Sequence, residues 1–322
     1  MAPTRRTART LASLVLAAAV PWAILVAASD ATPASAAGRA PALEPAAAAL
    51  VPHRAVYRMS LASARSGSGL SGAKGLMLYR FADACDHWAV ETNIYLELRY
   101  AEGPDARIAW SFAALEAKDG SSYRFRLRHE RDGKPVESLK GTARIDAAGG
   151  AGTASFEDSG PSKPPQTMDL AAGTLFPTRH LVAVLAAARA GERFLPKTVF
   201  DGASLDNPYR VTATIGAARQ EAGQEARQEA GSAAGAKGKE QQAPNAPGPL
   251  GKLLDAAGLE AGPAWPVRLA FFPARSRRPE PEFEIGVDYR ADGIAERVEQ
   301  DYGEFVIDMA PAEFEVLARP EC

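Results

Sequence analysis

Cys85, in FADACDHWAV, and Cys322, the last residue of FEVLARPEC, are the only two thiols in the chain. Four histidines accompany them: His53, His87, His129 and His180. These six residues show no zinc-ligand spacing, so no metal site is expected. No Cys-x-x-Cys pair is present, which argues against thioredoxin-like redox chemistry. Each histidine reads as an ordinary surface residue.

GSGLSG, Gly67 to Gly72, fits the dinucleotide fingerprint G-x-G-x-x-G. That fingerprint requires a helix next, whose N-terminus meets the pyrophosphate. Here AKGLMLYRF follows and reads as a strand, which makes the glycines a hairpin loop. There is no G-x-S-x-G elbow, and nothing sets His53 or His180 beside a nucleophile. Glu282 and Glu284 sit two apart on a strand and share a face, as a glycosidase pair would. Opposite Phe283 and Ile285 they read as a solvated face. Arg124, Arg126 and Arg128 alternate with Tyr123, Phe125 and Leu127. Such a stripe places an arginine about every 7 Å and suits phosphates or acidic headgroups. Cross-strand pairing with Glu130 or other acids is its ordinary alternative. No catalytic residue and no cofactor are implied, and the chain is expected to be non-enzymatic. An exported hydrolase has no motif to support it.

The N-terminus gives an address. MAPTRRTART carries Arg5, Arg6 and Arg9 and no acid; an apolar stretch follows over residues 11–28, then the small-residue site Ala34-Ser35-Ala36. This is the pattern of a secretory signal peptide over 1–36, with an uncleaved membrane anchor as the rival. Pro21 and the small-residue site favour cleavage. The mature chain is expected in the periplasm, with no transmembrane segment. Beyond residue 36 there remain 34 basic and 38 acidic residues, a net charge of −4. That balance gives no general attraction to nucleic acid or to anionic lipid. In an oxidising compartment, two lone thiols are expected to pair as a Cys85–Cys322 disulfide.

Stepping along the chain, residues 37–49 read as a flexible lead. From Leu50 apolar and polar residues alternate. Trp88, Val90, Thr92, Ile94, Leu96 and Leu98 share one parity; Phe283, Ile285, Val287 and Tyr289 share another. Period two marks half-buried strands. Asp119-Gly120, Asp132-Gly133, Asp201-Gly202 and Asp292-Gly293 punctuate them as tight hairpin signals. At least ten strands are expected, in a mostly β, antiparallel protein. Two helices interrupt, each expected to pack on a sheet: FPTRHLVAVLAAARAGERF, with Thr178 as cap and Gly191 as stop, and PLGKLLDAAG over 249–258. Residues 217–248 contain ARQEAG twice and no large apolar residue, so they read as a low-complexity insertion.

Several stretches together resemble one family. They are HRAVYRMSL at 53–61, LFPTRH at 175–180, VFDG at 199–202, WPVRLAFF at 265–272 and DGIAERVEQDYGEF at 292–305, with the cysteine at the extreme C-terminus. This order is similar to that of the cell-envelope-integrity protein EipB family of Gram-negative bacteria, from about Leu50 to Cys322. The resemblance implies a periplasmic, long-stranded, antiparallel open β-spiral, shaped like LolA and LolB, with helices in its concavity. It also implies a disulfide between Cys85 and Cys322. It implies a part in envelope integrity and stress resistance without catalysis. The curved sheet is expected to offer an apolar concavity, its partner an envelope protein, a lipid or a lipoprotein. A periplasmic lipid or lipoprotein carrier is the alternative.

Overall fold

Alternating side chains along HRAVYRMSLASA bury His53, Ala55, Tyr57 and Met59 and expose Arg54 and Arg58, which makes this stretch a strand with one dry face. The same logic repeats along the chain. In this computed structural model the described residues are 49–146, 149–158, 166–219, 249–259, 262–276 and 278–322. The expected signal peptide, most of the lead and residues 220–248 of the expected insertion lie outside them.

The strands are β1 His53–Ala64, β2 Leu70–Ala84, β3 His87–Tyr100, β4 Ala106–Ala117, β5 Ser122–Arg131, β6 Lys134–Ile145, β7 Gly152–Asp158, β8 Gln166–Leu170, β9 Phe194–Val199, β10 Tyr209–Ile215, β11 Ala264–Pro273, β12 Phe283–Arg290, β13 Ala295–Asp301 and β14 Phe305–Val316. The helices are α1 Pro177–Arg189 and α2 Pro249–Ala256. All fourteen strands join one sheet in the order β8-β7-β6-β5-β4-β3-β2-β1-β14-β13-β12-β11-β10-β9, each paired antiparallel with its neighbour. The first and last strands therefore meet in the middle, with His53 opposite Val316 and Met59 opposite Met309. The sheet stays open, since β8 and β9 do not pair. Instead, the chain after β8 covers the β9 edge: Leu175 donates its N–H to Thr198 and accepts from Phe200, both at 2.9 Å. An edge covered in this way offers fewer free backbone groups to another strand.

The expected hairpins at Asp119-Gly120, Asp132-Gly133 and Asp292-Gly293 connect β4–β5, β5–β6 and β12–β13. GSGLSG likewise forms the β1–β2 hairpin and runs into β2. Asp201-Gly202 differs. It lies in a nine-residue connection, Phe200 to Pro208, because the Asp201 and Asn207 side chains bond each other and the backbone across it. Tight pairing of β9 with β10 begins only at Val199 and Tyr209.

α1 touches distant strands. Val184, Ala187 and Ala188 pack with Val199, Tyr209 and Val211, while Val182 and Leu185 pack with Leu50, Phe81 and Trp88. One helix reaches both β2–β3 and β9–β10 only if the sheet curls around it. Its C-terminus closes as a Schellman motif: Glu192 N–H bonds Ala187 C=O, Gly191 N–H bonds Ala188 C=O, and Gly191 takes a positive φ. Gly191 thus acts as the stop. α2 buries Leu254 against Ile294, with Phe314 alongside. Among the described residues no helix is long and apolar enough to cross a membrane.

The last residues form no strand yet are held at three points. Leu317 N–H bonds Pro52 C=O at 2.9 Å, Arg319 contacts Asp83 at 2.9 Å and the Leu50 carbonyl at 2.7 Å, and Cys322 is disulfide-bonded to Cys85.

Candidate functional site: the inner face around α1

Register fixes which side chains line the inner face. Tyr57, Met77, Ile94, Trp110 and His129 form one row across β1 to β5; Ala55, Tyr79, Thr92, Phe112 and Leu127 form the next. Trp110 and Phe112 stack at 5.6 Å with an interplanar angle of 15°. Met77, Ile94, Trp110 and Phe112 are only half-buried, unlike Phe125, Leu127 and Phe156 beside them. Across the curl, Phe283, Ile285 and Val298 are half-buried too. α1 covers the end of the face near Phe81 and Trp88 and leaves these side chains incompletely covered. A half-covered apolar row inside a curled sheet suits an apolar chain or ring better than a charged substrate.

α1 is positioned by one carboxylate. Its N-cap, Phe176, makes no side-chain capping bond. Thr178, expected as the cap, is instead the second residue of the helix. The capping acceptor comes from β4: Glu116 takes the N–H of Thr178 at 2.7 Å and of Arg179 at 2.8 Å. Helix N-terminal N–H groups have no intrahelical acceptor, so a buried carboxylate there satisfies two at once. Glu116 is 1% exposed. Burial pushes its carboxyl up to about 7, with the Thr178 and Arg179 bonds pulling the other way. Phe176 anchors the same turn, stacking on Tyr123 at 5.1 Å.

His53 and His180 are buried, a correction to the expected surface positions. Both are surrounded because inward strand parity and the helix's sheet-facing side place them there. His53 holds the Val51 carbonyl through Nδ1 at 2.8 Å and stacks on Phe314. Among the described residues Nε2 of His180 has no hydrogen-bond partner. Burial, with Lys197 nearby, lowers its pKa to about 4. Among the described residues no group of three His, Cys, Asp or Glu is placed to hold a metal ion.

The other residues of interest do not converge on this site. Arg124, Arg126 and Arg128 point outward and are exposed. Glu284 belongs to an outer-face ladder in which Arg268 contacts Glu284 at 3.2 Å and Glu299 at 2.9 Å. Glu282 precedes β12 and is exposed. Glu116, Trp110 and Phe112 belong to no motif. Their only signal is parity, since Trp110, Phe112, Ala114 and Glu116 fall two apart along β4, and an acid at an inward position needs a partner.

The family model described as EipB-like matches residues 44–242 and 234–318. The chain belongs to the EipB-like family. A relative of the same name, the cell envelope integrity protein EipB of Brucella abortus, is 30% identical over 285 residues, spanning 88% of this chain and 90% of that protein. The crystal structure of a β-barrel-like protein of domain of unknown function DUF1849, also from Brucella abortus, shares 25% identity. It superposes with a TM-score of 0.68 over 84% of this chain and 99% of that one. This chain is thus a mostly β, antiparallel, open fourteen-stranded sheet with α1 inside its curl. The two EipB-like matches overlap at 234–242, inside the expected insertion.

Proposed function

We propose that this EipB-like chain is an exported, non-enzymatic periplasmic protein that supports cell envelope integrity and resistance to envelope stress. Its inner face holds an amphiphile or an apolar protein segment. The half-covered row Met77, Ile94, Trp110 and Phe112 carries this reading. The name of the Brucella abortus relative supports the envelope role, and the Cys85–Cys322 disulfide fits an oxidising compartment. In this reading residues 1–36 are the signal peptide, 37–49 the lead, and 217–248 an insertion in a single sheet domain. Ala217 to Arg219 still follow the sheet, where Arg219 pairs with Ala264. The test is genetic. A deletion strain becomes sensitive to detergents and cell-wall antibiotics, the full-length gene restores resistance, and Trp110→Glu restores it poorly. Unchanged sensitivity across several such stresses would contradict the proposal.

A second reading is a carrier of lipids or lipoproteins, with the LolA-like curvature implied by family resemblance. The observation favouring it is that α1, the element filling the curl, is held at its N-terminus by one titratable side chain. Transfer of a labelled lipid between membranes in vitro separates the two: a carrier moves it, a static binder does not.

A further inference from the structure

β4 turns small side chains outward. Ala109, Ser111 and Ala113 lie on its outer face, between two taller walls. One wall is Tyr95, Asn93 and Glu91 of β3; the other is Glu130, Arg128 and Arg126 of β5, each directly opposite in register. A shallow trough results along β4, with a depression of about 740 Å³ near Ala109 and one of about 450 Å³ near Ala113.

Two features of this face require explanation. The first is apolar exposure. Leu76, Leu78 and Tyr95 are 43%, 40% and 58% exposed. They adjoin, since Leu76 stands directly opposite Tyr95 and Leu78 follows two residues along β2. Scattered exposed apolar residues are ordinary, whereas a contiguous group marks a contact surface.

The second is unmatched charge. Neighbouring cations on this face have acids: Arg54 pairs with Glu315, Lys74 and Arg99 with Glu97, Arg80 with Glu91, and Lys140 with Glu157. Arg58, Arg107, Arg124, Arg126 and Arg128 make no ion pair among the described residues, and all five are exposed. Glu130 is also without one. Of the groups named, ten cations face five acids, because Lys74 and Arg99 share Glu97; this is an excess of five, on a chain whose net charge is −2. The charge is therefore local to this face.

We propose that this outer face docks on an anionic lipid surface, the arginines taking phosphates and Leu76, Leu78 and Tyr95 entering the interface. Guanidinium forks bind phosphate oxygens two at a time. Tyrosine settles at the boundary of headgroup and acyl chain, and leucine adds apolar area below it. Each arginine near an anionic surface strengthens binding by roughly fivefold at moderate salt. The face is distinct from the inner row, so it positions the curl at a membrane whichever molecule the inner face holds.

The test is co-sedimentation of the exported protein with vesicles of phosphatidylcholine alone and with about one-third phosphatidylglycerol. Binding is expected only to the anionic vesicles, and it should fall as salt is raised from about 0.1 to about 0.5 M. Arg124→Ala/Arg126→Ala/Arg128→Ala should weaken it by roughly a hundredfold, and Leu76→Ser/Tyr95→Ser should weaken it at fixed charge. The charge-neutral pair Arg80→Ala/Glu91→Ala, on the same face, should change it less than about twofold. Equal binding to both vesicles, an unchanged triple variant, or binding of polyglutamate without vesicle binding would overturn the proposal. The substituted residues are exposed except for half-buried Arg80, and an unchanged melting temperature verifies each fold.

Discussion

The carboxylate of Glu116 on β4 accepts the backbone N–H of Thr178 at 2.7 Å, so a strand side chain caps the helix that lies inside the curl. A second oxygen takes Arg179 N–H at 2.8 Å. Sheet and helix are thereby locked together at one buried point, 62 residues apart in sequence.

Removing that acceptor leaves two helix N–H groups buried and unsatisfied. Glu116→Ala is expected to lower stability by about 2–4 kcal/mol. Chemical denaturation gives the value. Faster hydrogen exchange should appear first at Thr178 and Arg179; exchange unchanged there would mean that water or another group replaces the carboxylate.

Two buried groups titrate in opposing senses. Glu116 folds with its pKa raised from 4.5 to about 7, so its contribution is full below about 4.5 and is lost as pH rises through 7. The difference corresponds to about 3 kcal/mol. His180 folds with its pKa lowered from 6.5 to about 4, so its contribution is full above about 6.5 and is lost as pH falls through 4. The isosteric Glu116→Gln is expected to gain stability relative to the unsubstituted protein between pH 4.5 and 7. His180→Asn should gain relative to it as pH falls from 6.5 to 4. Melting temperatures across this range check both signs, and parallel profiles would refute them.

The C-terminal anchor is separable from the core. Cys322→Ser is expected to lower stability by up to about 5 kcal/mol in the chain-entropy account, seen as a lower melting temperature. Arg319→Ala, which removes the contact to Asp83, should cost less because Lys118 still holds that carboxylate at 2.7 Å. Non-reducing peptide mapping should recover Cys85 joined to Cys322. Free alkylation of both thiols in unreduced protein would end this account of the tail.

Gly202 shows a backbone requirement inside a functional fold. Its φ is +70°, and a Cβ there would come 2.5 Å from the Phe125 ring. Gly202→Ala is expected to cost about 2–3 kcal/mol, from overpacking and positive φ together. A change under about 0.5 kcal/mol would mean that the loop yields easily.

Much of this fold can be read along the chain. Period-two alternation places Trp88 through Leu98 inward and Arg124, Arg126 and Arg128 outward, as found. Gly191 announces the end of α1 because only its backbone readily adopts the closing φ. What is not legible is tertiary. Thr178 has the residue type of a cap, yet the cap comes from Glu116, because chain proximity is overridden by the curl of the sheet. His53 and His180 are polar and still buried, since parity and helix packing outweigh residue type. Asp201-Gly202 is a turn signal absorbed into a longer loop by the Asp201–Asn207 contact. The adjacency of β1 and β14 carries no local signature at all.

The central claim is that the row around Trp110 and Phe112 holds an apolar guest. Native mass spectrometry of protein released from the periplasm without detergent tests it most directly. A bound amphiphile in the unsubstituted protein, lost in Trp110→Glu and retained in Arg124→Ala/Arg126→Ala/Arg128→Ala, is the expected result. Reproducibly empty protein, or a guest retained equally in Trp110→Glu, would contradict it.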